Sequence, residues 1–118
     1  QKMKMQSLVK HGYAQTGGSS VIIKSKFKNW VYYSANFKVA DQVIKLNKKN
    51  LAIKIDVEGH ELKVLSGMKK IFHQNKVIIQ IEIFKNKFEE TNSLIKTYGF
   101  KMIFKVKERQ NYFYSNFR

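Results

Sequence analysis

The chain holds only eight acidic residues among 118, yet Asp56, Glu58 and Glu61 fall within six positions of one another. In a sequence with 23 lysines and arginines and a formal net charge of +15, such a grouping needs a physical reason. Closely spaced carboxylates can take a proton from a substrate hydroxyl or amine, or orient that group by accepting its hydrogen bonds. Metal binding is not expected. There is no cysteine, and His11, His60 and His73 are too scattered for a dedicated centre. The missing cysteine also removes disulfides and thiolate nucleophiles.

The elements around these residues give them a common direction. Leu51–Ile55 is a short apolar run that reads as a strand, and Asp56-Val57-Glu58-Gly59 is an acidic turn at its end. Strand side chains two apart share a face, which projects Lys54, Asp56 and Glu58 to one side. Gly59 lets the backbone turn sharply into a helix beginning near His60. Leu62, Leu65, Met68 and Phe72, with Ile71 beside them, form that helix's apolar stripe, which runs to the His73–Lys76 region. Val77–Phe84 is a second apolar strand, on which Gln80 and Glu82 share a face. A neighbouring register sets Lys54 against Glu82, as an ion pair that would resolve the burial of a lysine in a central strand, or with Asp56 as a partner common to both. Each acid also has a structural reading: Asp56 or Glu58 at the helix N-terminus, and Glu61 in its first turn, where the macrodipole favours negative charge.

Phe88, Thr91, Leu94, Ile95 and Tyr98 make the next helical stripe, stopped by Gly99 at a C′ position. Phe100–Val106 and Tyr112–Phe117, joined by a polar turn around Glu108–Asn111, read as an antiparallel hairpin. Upstream, Val21–Lys26 and Trp30–Phe37 read as β-rich, and Val39, Val43 and Ile44 as a short helix with Lys45 and Lys48 on its wet side. The chain reads as a single partial domain over 1–118, with residues 1–38 a β-rich segment and 39–118 a βαβαββ half. From residue 51 the order β, α, β, α, β, β predicts a mostly parallel sheet, covered on both faces, with an antiparallel hairpin at the C-terminus. The turn after Ile55 then lies at the carboxyl end of a parallel strand, where open α/β sheets bind ligands.

The stretch Ile53-Lys54-Ile55-Asp56-Val57-Glu58-Gly59-His60-Glu61-Leu62-Lys63-Val64-Leu65-Ser66-Gly67 resembles the hallmark segment of the FkbM family of methyltransferases. His60 stands where that family usually has a small residue. Gly18-Ser19-Ser20 resembles an upstream Gly/Ser patch, and Ile79–Ile83 resembles the following strand with its terminal acid. Asp41 matches a Leu-Asp pair, with Ala40 in place of the leucine. The resemblance is specific over 39–84 and looser elsewhere. It implies the C-terminal half of a partial Rossmann-like class I methyltransferase fold that uses S-adenosylmethionine. It also implies catalytic roles for Asp56, Glu58 and Glu82, substrate contacts from Lys54 and His60, and a cofactor contact from Asp41. The acceptor implied is a small molecule or a glycan. Two family features are absent, a Gly-rich Asp-x-Gly-x-Asn-x-Gly turn and the acid that holds the cofactor ribose. The chain alone is therefore expected to bind S-adenosylmethionine weakly or not at all.

The charge invites a different reading, a basic RNA-associated protein in which Trp30, Tyr32, Tyr33 and Phe37 stack bases among Lys24, Lys26, Lys28 and Lys38. Of the basic residues, however, only Arg109 and Arg118 are arginine, the side chain that reads nucleic acid bidentately. Nucleic acid is thus the less favoured partner. A non-catalytic methyltransferase remnant is the third reading. No apolar run reaches the length of a membrane span and no secretory signal is visible, so the expected compartment is the cytoplasm.

Overall fold

The computed structural model describes residues 2–10, 13 and 14, 20 and 21, and 30–117. The chain divides into two compact units, Gln1–Lys38 and Val39–Arg118.

The first unit is a small antiparallel sheet of β1 (Lys2–Lys10), β2 (Tyr13–Ala14), β3 (Ser20–Val21) and β4 (Trp30–Asn36). β1 is its centre and pairs with the other three; Met5 sits opposite both Tyr33 and Val21. Lys2-Met3-Lys4-Met5 alternates polar and apolar residues, the period-two pattern of a strand. Of the segment Val21–Lys26 only Val21 is described, and Gly17, Gly18, Ser19, Lys24, Lys26 and Lys28 lie outside the described residues.

The second unit holds a four-stranded sheet in the order β5 (Asn50–Ile55), β6 (Lys76–Glu82), β8 (Asn111–Ser115), β7 (Lys101–Val106). Helices α1 (Ala40–Val43), α2 (Glu61–Ser66), α3 (Lys69–Gln74) and α4 (Phe88–Thr97) complete it. β5 and β6 are parallel, with Ile53 beside Ile79 and Ile55 beside Ile81. β8 runs antiparallel to both β6 and β7. The sheet is therefore mixed rather than mostly parallel as expected: β8 returns between β6 and β7, so β5–β6 is its one parallel pairing among the described residues. The C-terminal hairpin forms as expected, with a bulge at Ile103 that leaves Ile103 and Phe104 exposed side by side.

Burial on this sheet is one-sided, which corrects the expectation of two covered faces. Val77, Ile79, Ile81 and Ile83 are fully buried, while Ile78, Gln80 and Glu82 between them are only half-buried. On β5, Leu51, Ile53 and Ile55 turn inward, while Ala52 and Lys54 are exposed. The core forms where the covered face meets Leu65, Met68, Ile71, Phe72 and Ile95 of the helical layer, and Tyr114 of β8 joins it. Each such side chain stabilises the fold by about 1.5–3 kcal/mol relative to exposure. Tyr114 keeps its hydroxyl satisfied by donating to Asn92 Oδ1 at 2.9 Å.

The helix expected from His60 to His73–Lys76 is two helices, because the chain breaks at Gly67-Met68. There Gly67 O accepts from Asp41 N at 2.9 Å, and a Cβ on Gly67 would meet Val39 Cγ1 at 3.3 Å. The break leaves the first N–H groups of α3 without helical partners, and Asp41 supplies them: Oδ2 accepts from Lys70 N at 2.9 Å and Oδ1 from Ile71 N at 3.1 Å. α1 is shorter than expected, and Val39, Val43 and Ile44 are exposed rather than packed. α4 ends as expected, with Gly99 at φ +84.

Candidate functional site

The carboxyl ends of β5 and β6 lie side by side. Ile55 and Ile81 are in register, so the next residues, Asp56 and Glu82, leave adjacent strands on the same face. After Asp56 the backbone makes a tight turn, Val57-Glu58-Gly59-His60, closed by His60 N donating to Val57 O at 3.3 Å. Both central residues have positive φ, +50 for Glu58 and +93 for Gly59. Glycine takes that conformation freely, whereas a non-glycine residue there costs on the order of 1–3 kcal/mol. Two contacts hold the turn. The buried Glu61 carboxylate reaches back from α2 and accepts Gly59 N at 3.0 Å through Oε1. The Phe84 ring, just past β6, lies against Gly59, 3.7 Å from where a Cβ would stand.

The turn thereby carries Glu58 into the company of other acids. Burial raises its carboxyl pKa above the ordinary range, and the charges of Asp56, Glu82 and Glu61 raise it further. Half of the chain's eight carboxylates meet at this one strand end. The His60 imidazole is pushed the other way, chiefly by burial and then by Lys63, with Glu61 opposing. It is therefore neutral at neutral pH, and its buried Nδ1 has no hydrogen-bond partner among the described residues.

The structure thus gathers Asp56, Glu58 and Glu82, with His60 on the same turn. Lys54 corrects the sequence-based picture. Its side chain is 63% exposed and pairs with Asp56 Oδ2 at 3.1 Å, while its neighbour across the strand pair is Gln80, not Glu82. No Lys54–Glu82 ion pair occurs among the described residues, because β5 is uncovered on that face and the ammonium needs no buried counter-ion. Asp41 sits at the start of α3, with both oxygens engaged there. Glu61, read from spacing as a helix-dipole residue, is the internal brace of the turn. Phe84 went unread because a strand's last aromatic looks like any other core residue. Gln110 was also passed over: its carbonyl accepts Ile83 N at 3.0 Å and its Oε1 accepts Lys85 N at 2.9 Å, tying the β6 exit to the β7–β8 turn. No group of three or more metal-ligating side chains is placed to hold an ion among the described residues. No helix among them is long and apolar enough to cross a membrane.

A mixed sheet with helices, and acids grouped where two parallel strands end, defines an α/β domain. Residues 35–102 match the model of the Methyltransferase FkbM domain, and the chain belongs to that family. It is, in general terms, a methyltransferase domain. No curated protein and no solved structure matches the chain.

Proposed function

We propose that this chain is the acceptor-binding half of a Rossmann-like, S-adenosylmethionine-dependent methyltransferase, acting on a hydroxyl of a small molecule or glycan. The observation that carries the reading is Glu58, held in a strained backbone conformation among Asp56 and Glu82 with its carboxyl pKa raised. Strain and perturbed titration cluster where groups are positioned for chemistry. Methyl transfer from the cofactor's sulfonium needs alignment of the acceptor oxygen and removal of its proton. Glu58 is the base in this reading, since a raised pKa strengthens a carboxylate as proton acceptor. Asp56 and Glu82 orient the acceptor hydroxyl, and the neutral His60 bounds the site with an unpaired nitrogen. Lys54 keeps Asp56 in place, and Asp41 contributes by fixing α3.

The described residues do not by themselves form a cradle for the cofactor. The main-chain N–H at the one strand-to-helix glycine, Gly59, already donates to Glu61. The test joins the chain to a family segment carrying the Gly-rich turn and measures transfer of labelled methyl to hydroxylated acceptors. The joined protein should label an acceptor, and Asp56→Asn and Glu58→Gln should each cut labelling by about a hundredfold, the scale of losing a positioned base. Their unfolding midpoints should not fall. Absence of labelling, or wild-type labelling in both variants, would overturn the reading.

A further inference from the structure

A cleft of about 600 Å³ is set between the β6 exit, the start of α4 and the β7–β8 turn. Its apolar part is the ring pair Phe88 and Tyr112, 4.6 Å between centroids and inclined at 36°. Lys85, Lys105 and Lys107 stand around it with Glu108, and three lysines against one glutamate leave two net positive charges. None of these three ammonium groups pairs with a carboxylate among the described residues. The cleft is also built rather than incidental. Gln110, which lines it, bridges Lys85 N and Ile83 N, so its two walls are joined by hydrogen bonds. Tyr112 lies opposite Ile81, and Glu82 is the next residue of β6, so the cleft opens at the same strand end as the carboxylates but from the covered face of the sheet.

We propose that this cleft is a binding subsite for an acceptor made of a flat ring bearing an anionic group, a phosphate or a carboxylate. The ring lies against Phe88 and Tyr112 and the anion among Lys85, Lys105 and Lys107. The word "acceptor" rests on the methyl-transfer reading; the binding chemistry does not. Aromatic faces supply stacking area, and unpaired ammonium groups around an open cleft select for negative charge. The site explains what a lysine surplus alone leaves open, namely why these lysines surround a pair of rings.

The chain itself, isotopically labelled, is titrated with 1-naphthyl phosphate, 1-naphthoate, inorganic phosphate and the neutral 1-naphthyl glucoside, and amide resonances are followed. At least one naphthyl anion should bind about tenfold more tightly than either phosphate or the glucoside, the gain expected when stacking and charge-assisted contacts act together. Shifts should centre on Lys85, Lys107, Gln110 and Tyr112. The tighter of the two anions assigns the acceptor's charged group as phosphate or carboxylate. Lys85→Gln with Lys107→Gln should weaken that binding about tenfold with the remaining resonances unmoved, and the arginine pair should restore it. Equal binding of inorganic phosphate and naphthyl phosphate would overturn the site, as would shifts spread equally over Lys48 and Lys76, or no loss in the double variant. Binding here without any methyl labelling by the joined protein would overturn the methyl-transfer reading and leave this site standing.

Discussion

Replacing Glu58 by glycine should stabilise the protein while removing its proposed base. Glu58 holds φ +50 in a turn whose geometry Glu61 and Phe84 fix from either side. A left-handed non-glycine residue costs about 1–2 kcal/mol. Glycine adds unfolded-chain freedom worth about 0.5–1 kcal/mol against folding, which leaves a net gain of roughly 0.75 kcal/mol at the middle of both ranges. In a unit of this size that corresponds to a rise in Tm of about 2–8 °C. Glu58→Gln separates charge from strain, since it keeps the backbone conformation and removes the carboxylate. Burial and three neighbouring acids hold the folded carboxyl above its ordinary pKa, so the unfolded chain loses its proton first as pH rises. Between the two pKa values the folded state binds more protons, and stability falls with rising pH through that window. Glu58→Gln should therefore gain on the wild type at about pH 7 and match it at about pH 3, below the glutamate range. Urea unfolding followed by circular dichroism at both pH values reads each effect. A glycine variant less stable than wild type would show that the turn is not strained at Glu58. A gain in the glutamine variant that does not vary with pH would show that the acids do not repel.

Two further substitutions test the supports of the site. Asp41→Ala should cost about 1–2 kcal/mol in the same denaturation assay, because it leaves the Lys70 and Ile71 N–H groups unbonded, and Asp41→Asn should recover about half. Lys54→Met should cost less than about 1 kcal/mol, because the Lys54–Asp56 pair is exposed to solvent, and a loss of several kcal/mol would mean that the face is covered.

What the sequence made legible is what depends on local periodicity. The strands around Ile53 and Ile79, the α4 stripe with its Gly99 stop and the closing hairpin all carry their patterns within a dozen residues. The acidic turn was legible too, because Asp56, Glu58 and Gly59 are contiguous. What stayed hidden depends on partners distant in the chain. Nothing near Gly67 announces that Asp41, almost thirty residues earlier, will cap a new helix there. The near-continuous apolar run VIIQIEIF suggested burial on both faces, yet Ile78 and Gln80 are only half-buried because all of the sheet's helical cover packs on the opposite face. The strand at Lys2–Lys10 was not expected, although Lys2-Met3-Lys4-Met5 carries a period-two alternation.

β5 stands at one end of its sheet. Among the described residues it pairs only with β6, so its other edge presents a row of unpaired main-chain donors and acceptors. Such an edge is an invitation to strand-on-strand zippering between molecules. Lys48, Lys49 and Lys54 stand on or beside it, and like-charged lysines at an edge keep approaching copies apart. In colloidal language, the lysine excess should act as a dispersant for this edge. That protection has a range set by the ionic atmosphere, about 10 Å at 0.1 M salt and about 3 Å at 1 M. Concentrated salt, which calms many basic proteins, should make this one sticky.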